Sequence, residues 1–88
     1  MTFAYRVPLR VDRSHAPAYR LVNVSDERLT NLRVTLLGSG MLLPISTLRL
    51  APGMALTVVV HETDPRSSVL VVRWFRPNGE EYLWRVVF

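Results

Sequence analysis

Eighty-eight residues, 49% of them hydrophobic and 20% charged, make one domain with one core, so residues 1–88 are read as a single unit. The absence of cysteine excludes a disulfide framework, cysteine-based zinc sites and thiol catalysis, and leaves packing alone to hold the fold. All eleven basic residues are Arg, and against seven acids they give a net charge of +4, an arginine-rich balance that would suit an anionic partner.

The start, Met1-Thr2-Phe3-Ala4-Tyr5-Arg6, has neither the basic opening nor the long apolar run of a signal peptide. The longest uninterrupted apolar run, Val69–Val72, is far short of the ~20 residues that cross a bilayer. A cytoplasmic location without membrane contact is therefore expected, and the acceptor triplet Asn23-Val24-Ser25 is expected to be a chance match.

Turn signals recur along the chain at Ser14-His15-Ala16-Pro17, Ser25-Asp26-Glu27-Arg28, Gly38-Ser39-Gly40, Ala51-Pro52-Gly53, Asp64-Pro65-Arg66-Ser67-Ser68 and Pro77-Asn78-Gly79. Most of the runs between them are about 8–10 residues long and rich in Val, Leu and aromatics, which predicts an all-β sandwich or barrel. In the first run Phe3, Tyr5, Val7, Leu9 and Val11 alternate with Arg6, Pro8 and Arg10, so the odd positions are expected inward and the arginines outward. Pro8 has no N–H to donate, which places this strand at a sheet edge or gives it a broken ladder. The third run puts Leu32, Val34 and Leu36 inward and Asn31, Arg33 and Thr35 outward; the fifth puts Leu56, Val58 and Val60 inward, with Thr57, Val59 and His61 outward. The fourth, Met41 to Leu50, is interrupted by Pro44 and alternates poorly, which suits a short edge strand or an irregular crossover.

The last two runs fix their own register. A two-residue turn at Asn78-Gly79 would mix arginine with tryptophan on both faces of the hairpin. A three-residue loop, with Gly79 in the left-handed conformation, shifts the pairing by one. Trp74 then faces Tyr82, Val72 faces Trp84 and Leu70 faces Val86 on one apolar face. The opposite face carries Val71, Arg73, Phe75, Glu81, Leu83, Arg85 and Val87. The longer loop is the expectation.

The order of these features, Leu21-Val22-Asn23-Val24-Ser25-Asp26-Glu27, then Leu29-Thr30-Asn31-Leu32-Arg33-Val34-Thr35-Leu36, Leu50-Ala51-Pro52-Gly53, Leu56-Thr57-Val58, Val72-Arg73-Trp74 and Gly79-Glu80-Glu81-Tyr82, resembles that of small bacterial immunoglobulin-like domains. In those domains an Asn-x-Ser-Asp turn precedes a Val-x-Val strand, and a Pro-Gly precedes the next. The resemblance covers roughly residues 18–88 and implies an immunoglobulin-like sandwich of about seven antiparallel strands, with a small OB-like or SH3-like barrel as the alternative. It implies protein binding or a spacer role, and it carries over architecture only, since the chain lacks the cysteine pair of the disulfide-bonded immunoglobulin pattern.

Few side chains form a pattern that carries chemistry. His61-Glu62-Thr63-Asp64 gathers possible metal ligands at a strand end, but His15 is the only other histidine, and a polar strand end leading into the Asp64-Pro65 turn explains it as well. Asp12, Ser14 and His15 are close in sequence without a nucleophile elbow, and Gly38-Ser39-Gly40 precedes no helix that could cradle a phosphate. No catalytic residue, metal, cofactor or small-molecule substrate is therefore expected. Arg73-Trp74-Phe75-Arg76 and Tyr82-Leu83-Trp84-Arg85 interleave cations with aromatics as single-strand nucleic-acid platforms do, which keeps nucleic-acid binding as the second reading. Its weakness is that the register turns Trp74, Tyr82 and Trp84 inward and that the arginines are scattered over most strands. The outward stripe Val71, Phe75, Leu83 and Val87, flanked by Arg73 and Arg85, has the composition enriched at interfaces. The expectation is a non-enzymatic protein-interaction module, with a protein partner or a second copy as a homodimer bound through this face; folding of the fourth run or the chain start over the stripe is the alternative.

Overall fold

The computed structural model describes residues 5–38, 41–42, 45–61 and 68–87. Eight antiparallel strands lie among them: β1 (Leu9–His15), β2 (Ala18–Asn23), β3 (Leu29–Leu37), β4 (Met41–Leu42), β5 (Ile45–Leu50), β6 (Ala55–His61), β7 (Val69–Phe75) and β8 (Glu81–Val87). They form two four-stranded sheets, ordered β1-β2-β6-β4 and β5-β3-β7-β8, which pack face to face as a β-sandwich. Neither closes into a barrel, because no ladder joins the two sheets among the described residues. That sets aside the OB-like and SH3-like alternative.

Alternation along the strands explains which residues meet inside. Leu21 and Val58 enter from the first sheet, and Leu32, Leu70, Val72 and Trp74 from the second, all essentially inaccessible to water. Burying each Leu or Val contributes about 1.5–3 kcal/mol, so this interior supplies most of the driving force for a chain without disulfides. The third and fifth runs follow their expected phase, with Arg33, Thr35, Thr57 and Val59 outward. The first does so at Tyr5, Arg6, Leu9 and Arg10 but not at Val7 and Pro8. Val7 is 42% exposed and Pro8 is buried, contrary to expectation, because Tyr5–Pro8 lies outside the ladder and the Pro8 carbonyl accepts a hydrogen bond from Val24 N (2.8 Å) instead. β1 is an edge strand, as a proline at its entrance requires. Phe3 lies outside the described residues.

The fourth run divides between the sheets. β4 pairs with β6 and β5 pairs with β3, so the two pieces of this run belong to different sheets, and each is a sheet edge. In β3, Asn31 has φ 48°, and the pairing with β7 slips by one residue between Thr30 and Arg33 while that with β5 keeps step. This bulge lets Leu29 and Leu32, three apart, both face inward.

The β7–β8 hairpin takes the three-residue loop. Gly79 has φ 89°, its N–H donates to the Arg76 carbonyl (2.9 Å), and Arg76 N donates to the Glu80 carbonyl (2.8 Å). Trp74 lies opposite Tyr82, Val72 opposite Trp84 and Leu70 opposite Val86. At the hairpin's turn end, Trp74 Nε1 donates to the Tyr5 hydroxyl (3.2 Å), and the Arg76 guanidinium lies 4.3 Å from the Tyr5 ring centroid. Burial pushes the Tyr5 hydroxyl above its ordinary pKa. Arg76 also forms a two-point ion pair with Glu27, at 3.2 and 3.0 Å, whose hydrogen bonds raise its pKa further.

Asn23 joins the two sheets. It belongs to β2, is fully buried, and its amide Nδ2 donates to the carbonyls of Glu27 and of Leu50 at the end of β5, both at 2.8 Å. Its Oδ1 accepts from Ser25 N (3.0 Å) and Ser25 Oγ (2.7 Å), and its main chain bonds Gly53 and Met54. The Ala51-Pro52-Gly53-Met54 turn therefore closes against Asn23, with Gly53 at φ 81° as a Pro-Gly turn of this kind demands. The acceptor triplet has a structural purpose.

Candidate functional site

The outer face of the second sheet is assembled from four strands. β7 supplies Val71, Arg73 and Phe75; β8 supplies Glu81, Leu83, Arg85 and Val87; each lies one residue away from an inward neighbour such as Val72, Trp74 or Val86. Cross-strand pairing sets Val71 opposite Arg85, Arg73 opposite Leu83 and Phe75 opposite Glu81. Leu83 is 63% and Val87 65% exposed, while Val71 and Phe75 are half-buried. The alternative, that the chain's own segments cover this stripe, does not hold at Leu83 and Val87.

β3 extends the face. Arg33 pairs with Arg73, Thr35 with Val71 and Leu37 with Val69, and Leu37 is half exposed. On β5, Ser46 pairs with Arg33, and Leu48 two residues further on is 76% exposed. Two shallow depressions of about 270 Å³ each divide the surface. One is lined by Asn31, Arg33, Arg73, Phe75 and Glu81, the other by Arg33, Thr35, Leu37, Val71, Arg73 and Leu83. They share the two arginines, so the centre of the face is basic and its flanks are apolar.

The electrostatics of that centre are uneven. Arg73 NH2 lies 3.0 Å from Glu81 Oε2, an ion pair about half open to solvent and therefore weak. The Arg33 side chain, directly across the ladder, makes no hydrogen bond or ion pair among the described residues. Like charges opposite each other on adjacent strands are unfavourable, and the Glu81 contact offsets this for one arginine only.

Reasoning from the terminal hairpin alone misses Arg33, Leu37 and Leu48. The signal for Leu37 is present in the sequence, because the alternation that puts Asn31, Arg33 and Thr35 outward continues to it. What is lacking is the knowledge that β3 lies beside β7, since the two are far apart along the chain.

The other candidate clusters take different forms. Asp12, Ser14 and His15 do meet: Asp12 Oδ1 accepts from Ser14 N (3.0 Å) and Ser14 Oγ (2.6 Å), and Ser14 Oγ lies 2.9 Å from His15 Nδ1. The order is wrong for activating the serine, because its one proton goes to the carboxylate and the imidazole must act as donor to the oxygen. The hydroxyl and amide of Ser14 hold the Asp12 carboxyl below its ordinary pKa, which marks a closed turn. The Glu62-Thr63-Asp64 part of the proposed metal cluster and the Ser39-Gly40 part of the glycine loop lie outside the described residues. No group of three or more His, Cys, Asp or Glu side chains that could hold a metal occurs among the described residues, and none of their helices is long and apolar enough to cross a membrane. Of the aromatics proposed as a stacking platform, Trp74, Tyr82 and Trp84 are turned inward, Trp74 buried and the other two half-buried, and Phe75 faces out.

No family model matches this chain, and no curated protein or solved structure is significantly similar to it.

Proposed function

We propose that this chain is a non-enzymatic, immunoglobulin-like protein-interaction module that binds its partner through the outer face of the β5-β3-β7-β8 sheet. The immunoglobulin-like assignment draws its support from strand order. β1, β2 and β6 lie opposite β3, β7 and β8, with β4 beside β6, as the first, second and fifth strands of that sandwich lie opposite its third, sixth and seventh.

One observation carries the binding assignment: Leu37, Leu48, Leu83 and Val87 are each at least half exposed on one sheet, around Arg33, Arg73 and Arg85. Large apolar side chains gathered on one exposed face, with arginines between them, have the composition of interface centres. Nucleic-acid binding draws less support, because among the described residues Phe75 is the one aromatic on this face and stacking platforms need several.

A photoactivatable cross-linker placed at Leu83, and separately at Val59 on the other sheet, tests the reading in cell extract. The expected result is a discrete protein adduct from Leu83 and none from Val59. Equal labelling from the two positions, or none from either, overturns it.

A further inference from the structure

We infer that a second copy of this chain joins the first edge to edge through β8. The inference concerns the edge of this sheet and goes beyond the binding proposed for its outer face.

β8 ends its sheet, so among the described residues one side of the strand has no neighbour in the ladder. Its pairing with β7 runs unbroken through seven positions without a bulge, and the strand contains no proline. Bulges and prolines are two of the devices that blunt natural edge strands, and β8 has neither; its edge charges, Glu81 and Arg85, have opposite signs.

The hairpin fixes which backbone groups remain open. Arg76 N donates to the Glu80 carbonyl, making that pair hydrogen-bonded. Antiparallel ladders alternate hydrogen-bonded and open pairs, so Tyr82, Trp84 and Val86 bond to β7. Glu81, Leu83, Arg85 and Val87 then turn their N–H and C=O groups toward the free edge. The contact made at Val87 agrees with this, since its carbonyl accepts a hydrogen bond from Arg13 of β1 (2.8 Å). Arg13 caps one end of the edge and the Pro77-Asn78-Gly79 turn bounds the other, leaving Glu81, Leu83 and Arg85 as the open stretch.

That stretch is self-complementary. An antiparallel pairing with its twofold axis at Leu83 sets Leu83 against Leu83 and Glu81 against Arg85 of the second copy, on both sides of the axis. The three residues all have the same outward hydrogen-bonding phase, so each pair exchanges its N–H and C=O groups without a register conflict. On the inner side, the same register puts half-buried Tyr82 against half-buried Trp84, an aromatic cross-strand pair that would cover both. An unrelated extended peptide could use the open backbone groups, but nothing would match it to this alternation of acid, leucine and base.

The test is the mass of the pure protein in solution, by light scattering and sedimentation across concentrations up to millimolar, with paired charge reversals. The unaltered chain is expected to be a concentration-dependent dimer. Glu81→Arg and Arg85→Glu, each alone, set like charges opposite each other and should weaken dimerisation by about tenfold or more. An equimolar mixture of the two single variants should form a heterodimer, and the double variant should dimerise like the original. Leu83→Asp, on an exposed side chain, is the second route: it sets two carboxylates face to face at the axis and should leave a folded monomer. A monomeric original chain, or single variants that dimerise unchanged, overturns the inference. A monomer that still gives a Leu83 adduct with a different protein overturns the inference alone and leaves the interaction role standing.

Discussion

Outward from β2 and β6 point Ala18, Arg20, Val22, Ala55, Thr57 and Val59, which are small, polar or modest in exposed apolar area. From β3, β7 and β8 the outward residues include Leu37, Val71, Phe75, Leu83 and Val87, with three arginines among them. Both faces are built on the same alternation, over the same interior, from strands of similar length. The first comes closer to satisfying folding and solubility together, because its outward positions on β2 and β6 carry no apolar side chain larger than valine. The second spends large apolar side chains where the core cannot use them. Fold stability explains the inner residues of both sheets and the outer residues of only one.

Perturbing what the sheets share should move both faces at once. Asn23→Ala removes the amide that joins β2 to the end of β5 and leaves the Leu50 and Glu27 carbonyls and the Ser25 amide to find other partners. The expected cost is about 3 kcal/mol, the sum of one to two buried unsatisfied groups and a lost packing contact. At roughly 4–8 °C per kcal/mol for a domain of this size, thermal melting would register it as a large fall. A small change would mean that the sheets are held in place by apolar packing alone.

Glu27→Gln is milder. It keeps the shape of the side chain and one hydrogen bond to Arg76, while removing the charge from a pair about a quarter exposed. The melting temperature should fall by a few degrees, with the loss concealed at high salt because the ion pair is then screened. An effect as large as that of Asn23→Ala would show that the turn end of the hairpin is as critical as the sheet junction.

The smallest effects on stability separate the two faces most clearly. Leu83→Asp and Val59→Asp each introduce a carboxylate at an exposed outward position of one sheet, and each should change unfolding free energy by less than about 0.5–1 kcal/mol in denaturant titrations. Only the former should abolish association. Unfolding by Leu83→Asp would make that residue part of the core, and loss of association from Val59→Asp would erase the distinction between the faces.

How much of this was legible in the sequence depends on the range of the interaction. The hairpin register could be worked out because Pro77-Asn78-Gly79 and the alternation on either side of it are local, and a one-residue slip would have put arginine among tryptophans. The junction at Asn23 could not. Its partners at Glu27 and Leu50 are backbone carbonyls, which carry no side-chain signature, and Leu50 is distant along the chain. The bulge at Asn31 was equally hidden, since one residue with positive φ resets the inward phase without any glycine to announce it. The outward stripe was visible on β7 and β8 for the same local reason as the register. Its extension to Leu37 and Leu48 needed the order of strands across the sheet, which pairs segments far apart in sequence.

The buried asparagine also bears on the life of the chain before it folds. Nδ2 of Asn23 is the atom to which a glycan would be attached in the triplet Asn23-Val24-Ser25, and in the folded domain both its hydrogens are engaged inside. In a glycosylating compartment the triplet would therefore be open only during the interval between synthesis and closure of the turn. A sugar added in that interval would occupy the place of the Leu50 and Glu27 contacts and hold the sheets apart. Glycan attachment at this nitrogen and its contacts in the folded domain therefore exclude each other.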